Sequence, residues 1–193
     1  VTIDDLVKKA ETLPMIAHAK AYSVWTGSWR AMRLLVDLKF PYEMNEQLLE
    51  EIHSLLDPLL MIGDELEVRS PKYVPLLIKV VLCAQPEFSC GVLQEELKDE
   101  FSSSFTQDGR RGFFHPDDWT FGQELQTSQI LGRIHQVDGV DHVETLSFLK
   151  WGITTEYTEK DLSVGPDEII QVLSNPNGAE NGYISFEVKG LRP

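Results

Sequence analysis

Basic residues are scarce in this chain and never gather. Against 31 aspartates and glutamates stand 17 lysines and arginines, a net charge of −14, and no basic cluster exceeds an adjacent pair such as Arg110-Arg111. A phosphate-binding surface needs grouped cations to displace counterions, so the composition argues against nucleic acid and against an anionic membrane as partners. The acid excess reads as a solubilising surface. Cysteine is equally sparse: Cys83 and Cys90 form neither a disulfide framework nor a zinc-ligand spacing. Cys83 falls in an apolar strand pattern and reads as a small buried hydrophobe, in a reducing compartment. The longest apolar run, around 74–84, is broken by Lys79 and is too short to cross a bilayer. No charged and then apolar leader opens the chain, which excludes a secretory signal from the reading. The first residue is valine and a helix-start pattern begins at once, so an excised fragment is expected.

Catalytic signatures are missing as well. There is no G-x-S-x-G elbow, no G-x-G-x-x-G and no G-x-x-x-x-G-K-[ST], and the histidines show no metal-binding pair at helical spacing. Cys90 beside Gly91 suits a helix N-terminus, but no histidine is placed by sequence to pair with it. No cofactor is expected.

What is present is ordinary globular material: 193 residues, 42% hydrophobic and 25% charged, enough for one good core or two small ones. "TIDDLVKKAETLP" predicts a short helix capped by Thr2, and "IAHAKAYSVW" and "RAMRLLVDLKF" predict strands joined at Gly27-Ser28. "NEQLLEEIHSLLDPLL" is an amphipathic helix, and "ELEVRSP" a short strand. "YVPLLIKVVLCAQPEF" predicts the longest strand, apolar at Val74, Leu76, Ile78, Val80 and Leu82 and largely apolar between them, hence buried on both faces. Helices are expected over "GVLQEELKDEFSSSF" and "GQELQTSQILGRIHQV", with Ser102-Ser103-Ser104 as a frayed end. Strands are expected over "VDHVETLSFLKW", "DEIIQVLSNP" and "NGYISFEVKG", the last two around an "NPNG" turn. The pattern predicts an α+β fold of two small α/β-sandwich-like units, each a mostly antiparallel sheet with helices packed on one face. The first spans 1–71 (helix-strand-strand-helix-strand) and the second 72–193. A weak echo links the halves at an offset of 124 residues, placing Leu6, Val7, Ala10, Leu13, Ile16 and His18 on Ile130, Leu131, Ile134, Val137, Val140 and His142. Either a duplication or two connections obeying one packing rule would produce it.

The densest patch of unusual residues is "RRGFFHPDDWTFGQ", residues 110–123. Read as chemistry, His115, Asp117 and Asp118 would centre a metal-dependent hydrolase. Adjacent loop side chains diverge, however, and a catalytic zinc needs converging ligands. Asp108, Asp117 and Asp118 likewise lack the alternating ligands of a calcium loop. Read as architecture, the glycines turn the chain, Pro116 stiffens it, and Thr120 caps a helix starting near Phe121. Phe113, Phe114, His115, Pro116, Trp119 and Phe121 then anchor the loop or bind a partner.

The same stretch, continued as "GRRGFFHPDDWTFGQELQTSQILGRIHQVDGVDHVETLSF", resembles the C-terminal part of baseplate J-like proteins of contractile phage tails and contractile injection systems. "SPKYVPLLIKVVLCAQPEF" and "VTIDDLVKKAETLPMIAHAKA" are similar to two further segments of that family, so the resemblance touches most of residues 1–150 and fades from Gly152. Trp119 stands where the family often has Phe, and Met15-Ile16 where Gly-Val is usual. The resemblance implies a non-enzymatic baseplate wedge component with a β-rich region upstream. It implies many copies in the particle, and partners among wedge, hub and sheath-adjacent subunits. Assembly would take place in the bacterial cytoplasm, with the mature protein in the baseplate. The family supplies no catalytic residues to carry over.

Overall fold

A computed structural model of the chain describes residues 2–61, 63–174 and 178–190. The chain divides into two compact units, Val1–Lys72 and Tyr73–Pro193. The architecture is α+β, with four α-helices and two open sheets of three and four strands.

The first unit contains helix α1 (Ile3–Ala10), strands β1 (Ile16–Trp25) and β2 (Arg30–Leu38), helix α2 (Glu46–Leu56) and strand β3 (Glu65–Arg69). Helix α1 begins at a capping box. The Thr2 hydroxyl accepts from the Asp5 amide at 3.3 Å, and the Asp5 carboxylate accepts from the Thr2 amide at 2.8 Å. Helix α2 begins where the Asn45 side-chain oxygen accepts from the Leu48 amide at 2.8 Å. Asn45→Ala leaves that donor without its cap and is expected to cost about 1 kcal/mol, read as a lower urea midpoint at unchanged slope. Strands β1 and β2 form an antiparallel hairpin, whereas β3 lies parallel to β2 because α2 carries the chain back across the sheet. Leu6 and Ala10 of α1 and Leu48, Ile52 and Leu56 of α2 pack over Leu34, Val36 and Leu66 in one core.

The second unit is organised on strand β4 (Lys72–Ala84). Helix α3 (Cys90–Glu100) follows, then a long irregular segment, helix α4 (Thr127–Ile134), and strands β5 (Val140–Lys150), β6 (Glu168–Gln171) and β7 (Tyr183–Gly190). Strand β4 pairs with β5 on one side and with β6 and β7 as its other partners. Its ladder with β5 is antiparallel and its ladder with β7 parallel. Each sheet thus combines an antiparallel ladder with a parallel one: α2 returns the chain between β2 and β3, and α3, α4, β5 and β6 lie between β4 and β7. Val74, Leu76, Ile78, Val80 and Leu82 are almost fully buried beneath α3 and α4. The opposite face of β4 departs from the expectation of two-sided burial. Tyr73 and Lys79 are exposed and Leu77 and Val81 half-buried, while Cys83 is buried as expected. On that outer side the Lys79 ammonium lies 4.3 Å from the centre of the Tyr157 ring.

Two further expectations need correcting. The helix foreseen from 122 begins only at Thr127, because Gly122 adopts φ +67° and Leu125 exchanges backbone hydrogen bonds with Leu162 at 2.9 Å. The "NPNG" turn involves residues 175–177, which lie outside the described residues.

The echo at an offset of 124 has a close structural counterpart. α1 and α4 coincide under that shift, as do their capping residues Thr2/Asp5 and Gln126/Gln129 and the strand starts Ile16 and Val140. Each strand carries a bulge at its first step. Ile16 pairs with Leu38 and His18 with Asp37, while Val140 pairs with Ala84 and His142 with Cys83. One helix–turn–bulged-strand motif is thus built twice, with Leu6/Ala10 and Ile130/Ile134 as its buried helical positions.

Candidate functional site

The loop around "FFHPDDW" is stitched to the end of α3. The Phe113 amide donates to Glu100 O at 2.9 Å, the Phe114 amide to Ser102 O at 3.2 Å and the Gly112 amide to Ser104 O at 2.8 Å. The Ser103 hydroxyl donates to Leu173 O at 3.1 Å, so the three serines form a bonded seam and not a frayed helix end. Thr106 and Arg110 close the preceding turn, with the Thr106 amide donating to Arg110 O at 2.7 Å.

The aromatic side chains point into the second unit. Phe101 is fully buried and lies 5.1, 6.2 and 5.5 Å, centre to centre, from Phe113, Phe114 and Phe186. Trp119 stacks on Phe114 at 5.8 Å and donates its indole N–H to Phe113 O at 3.2 Å. Phe113 and Phe121 are partly buried against the same core, and Pro116 opens the 3₁₀ turn Pro116–Asp118.

The polar residues of the loop serve that packing. His115 is buried, 5.2 Å edge-on from Phe105, and its Nδ1 accepts from the Asp117 amide at 3.3 Å, which leaves the ring proton on Nε2. Arg111 reaches Asp118 at 2.7 Å and Asp117 at 3.5 Å. That hydrogen bond to Asp118 holds the guanidinium pKa above its ordinary value. Glu100 collects Arg133 and, at 3.4 Å, Arg110, which ties the turn and α4 to the end of α3. His115, Asp117 and Asp118 are neighbours in sequence without meeting at one ligand position. Thr120 also departs from its expected part. Its amide takes the Gln123 side-chain oxygen at 3.0 Å, and the next helix is capped by Gln126.

Among the described residues, three side-chain ligand atoms approach within 4.8 Å of one another at Cys83, His142 and Glu144, on the face of the β4–β5 ladder away from the helices. Sequence reasoning passed over this group because Cys83 lies some sixty positions before its partners. The shallow cleft of 320 Å³ beside the loop is lined by Lys98, Ser102, Ser103, Ser104 and Tyr183 among others. Among the described residues no helix is long and apolar enough to cross a membrane.

The fold thus defines a two-unit α+β chain whose distinctive loop is an aromatic-floored connection. Among solved structures, a chain of the cryo-EM structure of the anti-feeding prophage baseplate has a similar fold. The TM-score is 0.53 at 12% identity, covering 88% of this chain and 36% of that chain. This chain accordingly spans about a third of that neighbour's length. No family model and no curated protein matches the sequence. The fold is baseplate-like.

Proposed function

We propose that this chain is a structural component of the baseplate of a contractile phage tail or phage-tail-like injection system, of the baseplate J-like wedge class. It works by protein–protein assembly and without catalysis. The observation that carries the reading is the fold correspondence with the anti-feeding prophage baseplate chain over 88% of this sequence. The "FFHPDDWTFGQ" resemblance supports it from an independent direction. In this reading Phe113, Phe114, His115, Pro116, Trp119 and Phe121 are loop anchors and not partner contacts: Phe114 and Trp119 belong to the core, Phe113 and Phe121 pack against it, and His115 is buried. The surface offered to neighbouring subunits includes the tip of the β1–β2 hairpin, where Trp25 and Trp29 are 69% and 51% exposed. Large exposed aromatics on a paired hairpin suit interface anchors. The protein would be assembled in the bacterial cytoplasm, occupy several equivalent positions in the mature baseplate, and meet wedge, hub and sheath-adjacent subunits there.

The test is co-purification from the native operon with a tag on the full-length protein. Sheath, tube and spike subunits are expected in the eluate, and Trp25→Ala with Trp29→Ala should reduce their recovery. Recovery of no tail subunit from a lysate that contains assembled particles would reject the proposal.

A further inference from the structure

We propose that Cys83, His142 and Glu144 form a binding site for a zinc-class divalent ion on the outer face of the second unit's sheet. The donor set is a thiolate, an imidazole and a carboxylate, the three ligand types that tetrahedral zinc takes, with the fourth position open to water. Their ligand atoms lie within 4.8 Å of one another, and the Cys83 thiol already donates to Glu144 Oε1 at 3.4 Å. Tetrahedral bonds of about 2.0–2.3 Å need ligand atoms roughly 3.5 Å apart, so a small contraction of side chains closes the site.

The strand register explains how the three side chains come to share one face. Strand β5 departs from regular pairing with β4 at two steps. Val140 pairs with Ala84 and His142 with Cys83, skipping Asp141; Val143 pairs with Leu82 and Thr145 with Val81, skipping Glu144. Bulges re-aim side chains and let two successive residues share a face. Here they keep Val140, Val143 and Leu146 against the core while turning Asp141, His142 and Glu144 toward the side of Cys83. Asp141 Oδ2 lies 2.7 Å from His142 Nδ1. With the proton on Nδ1, Nε2 keeps its lone pair for a metal, the carboxylate–histidine arrangement that orients metal-binding imidazoles.

The first unit provides an internal comparison. Under the shift of 124, His18 takes the place of His142 and shares its bulge, but its register partner is Asp37 and the position of Glu144 is held by Lys20. The second bulge, which aims Glu144, has no counterpart in β1. Lys189 is the built-in competitor. Its ammonium lies 2.6 Å from Glu144 Oε2, is 47% exposed, and must swing aside for a cation to enter.

The experiment titrates the full, reduced, metal-free chain with Co²⁺ and follows thiolate-to-cobalt charge-transfer absorption, then displaces Co²⁺ with Zn²⁺. About one equivalent should bind and produce the band. Cys83→Ser should abolish it, and His142→Ala and Glu144→Gln should each weaken binding at least tenfold. Asp141→Asn should weaken it about tenfold as a supporting partner, and Lys189→Met should tighten it. Cys90→Ser and His18→Ala should leave it unchanged. Glu144→Gln keeps the shape of a partly exposed side chain, so its loss of affinity is separable from misfolding. A band that survives Cys83→Ser, one that disappears in Cys90→Ser, or binding indifferent to both His142→Ala and Glu144→Gln would each overturn the site.

Discussion

Gly112→Ala is expected to destabilise the second unit by roughly 3 kcal/mol, a large effect for one added methyl. The cause is contact and not backbone preference. A Cβ built on Gly112 would fall 2.8 Å from Ser102 C and closer still to its carbonyl and hydroxyl oxygens. The neighbour is backbone at the end of α3, so it cannot turn away as a flexible side chain would. Relief requires the loop to lift, which breaks the bonds from the Phe114 amide to Ser102 O and from the Gly112 amide to Ser104 O. Each lost bond in a partly buried seam adds about 1 kcal/mol. Gly109→Ala is the matched control: that glycine has φ +76° with nothing within 4 Å of its Cβ position, so only conformational strain of about 1 kcal/mol is expected. Chemical denaturation of both variants gives the comparison. Equal costs would mean that the close approach at Ser102 does not hold the loop.

Local sequence signals reached the parts of this fold that depend on neighbours along the chain. Thr2 caps its helix because a side-chain oxygen three residues before an amide is placed by the helix itself. The alternation at Val74, Leu76, Ile78, Val80 and Leu82 marks the core face of β4 for the same reason. Where distant partners decide, the sequence misleads. Helical periodicity over 122–126 yields to the backbone pairing of Leu125 with Leu162 and of the Gly122 amide with Glu168 O at 2.9 Å. The apolar Leu77 and Val81 on the second face of β4 suggest full burial, and both are only half-buried. The bulges in β5 are invisible without the partner strand, and so is the convergence of Cys83 with His142 and Glu144. In the loop itself, His115 and its aspartates suggest chemistry by type alone. Their geometry assigns them to an amide acceptor and two partners of Arg111.

Phe101→Ala is expected to cost about 3–5 kcal/mol, with its first consequence in the loop and not at the sheet edge. Phe101 is fully buried where α3 ends, and it touches Phe113 and Phe114 from below and Phe186 of β7 from the side. Removing its ring leaves a cavity between the sheet and the loop, and the Phe114–Trp119 stack loses its floor. Glu100 beside it is held by Arg133, and the backbone that follows is bonded to the loop. Phe101→Leu refills most of the volume and should cost under about 1.5 kcal/mol. Trypsin supplies a local readout. Arg110 and Arg111 sit in an exposed turn that the aromatic floor keeps in place, and cleavage there requires local opening. Cleavage after these arginines should accelerate in Phe101→Ala well below the denaturation midpoint, and remain slow in Phe101→Leu. If Phe101→Ala unfolds globally with no early cleavage at the turn, the aromatic cluster belongs to the core as a whole and does not anchor the loop as a separate unit. A cost within about 1 kcal/mol would remove the anchoring role altogether.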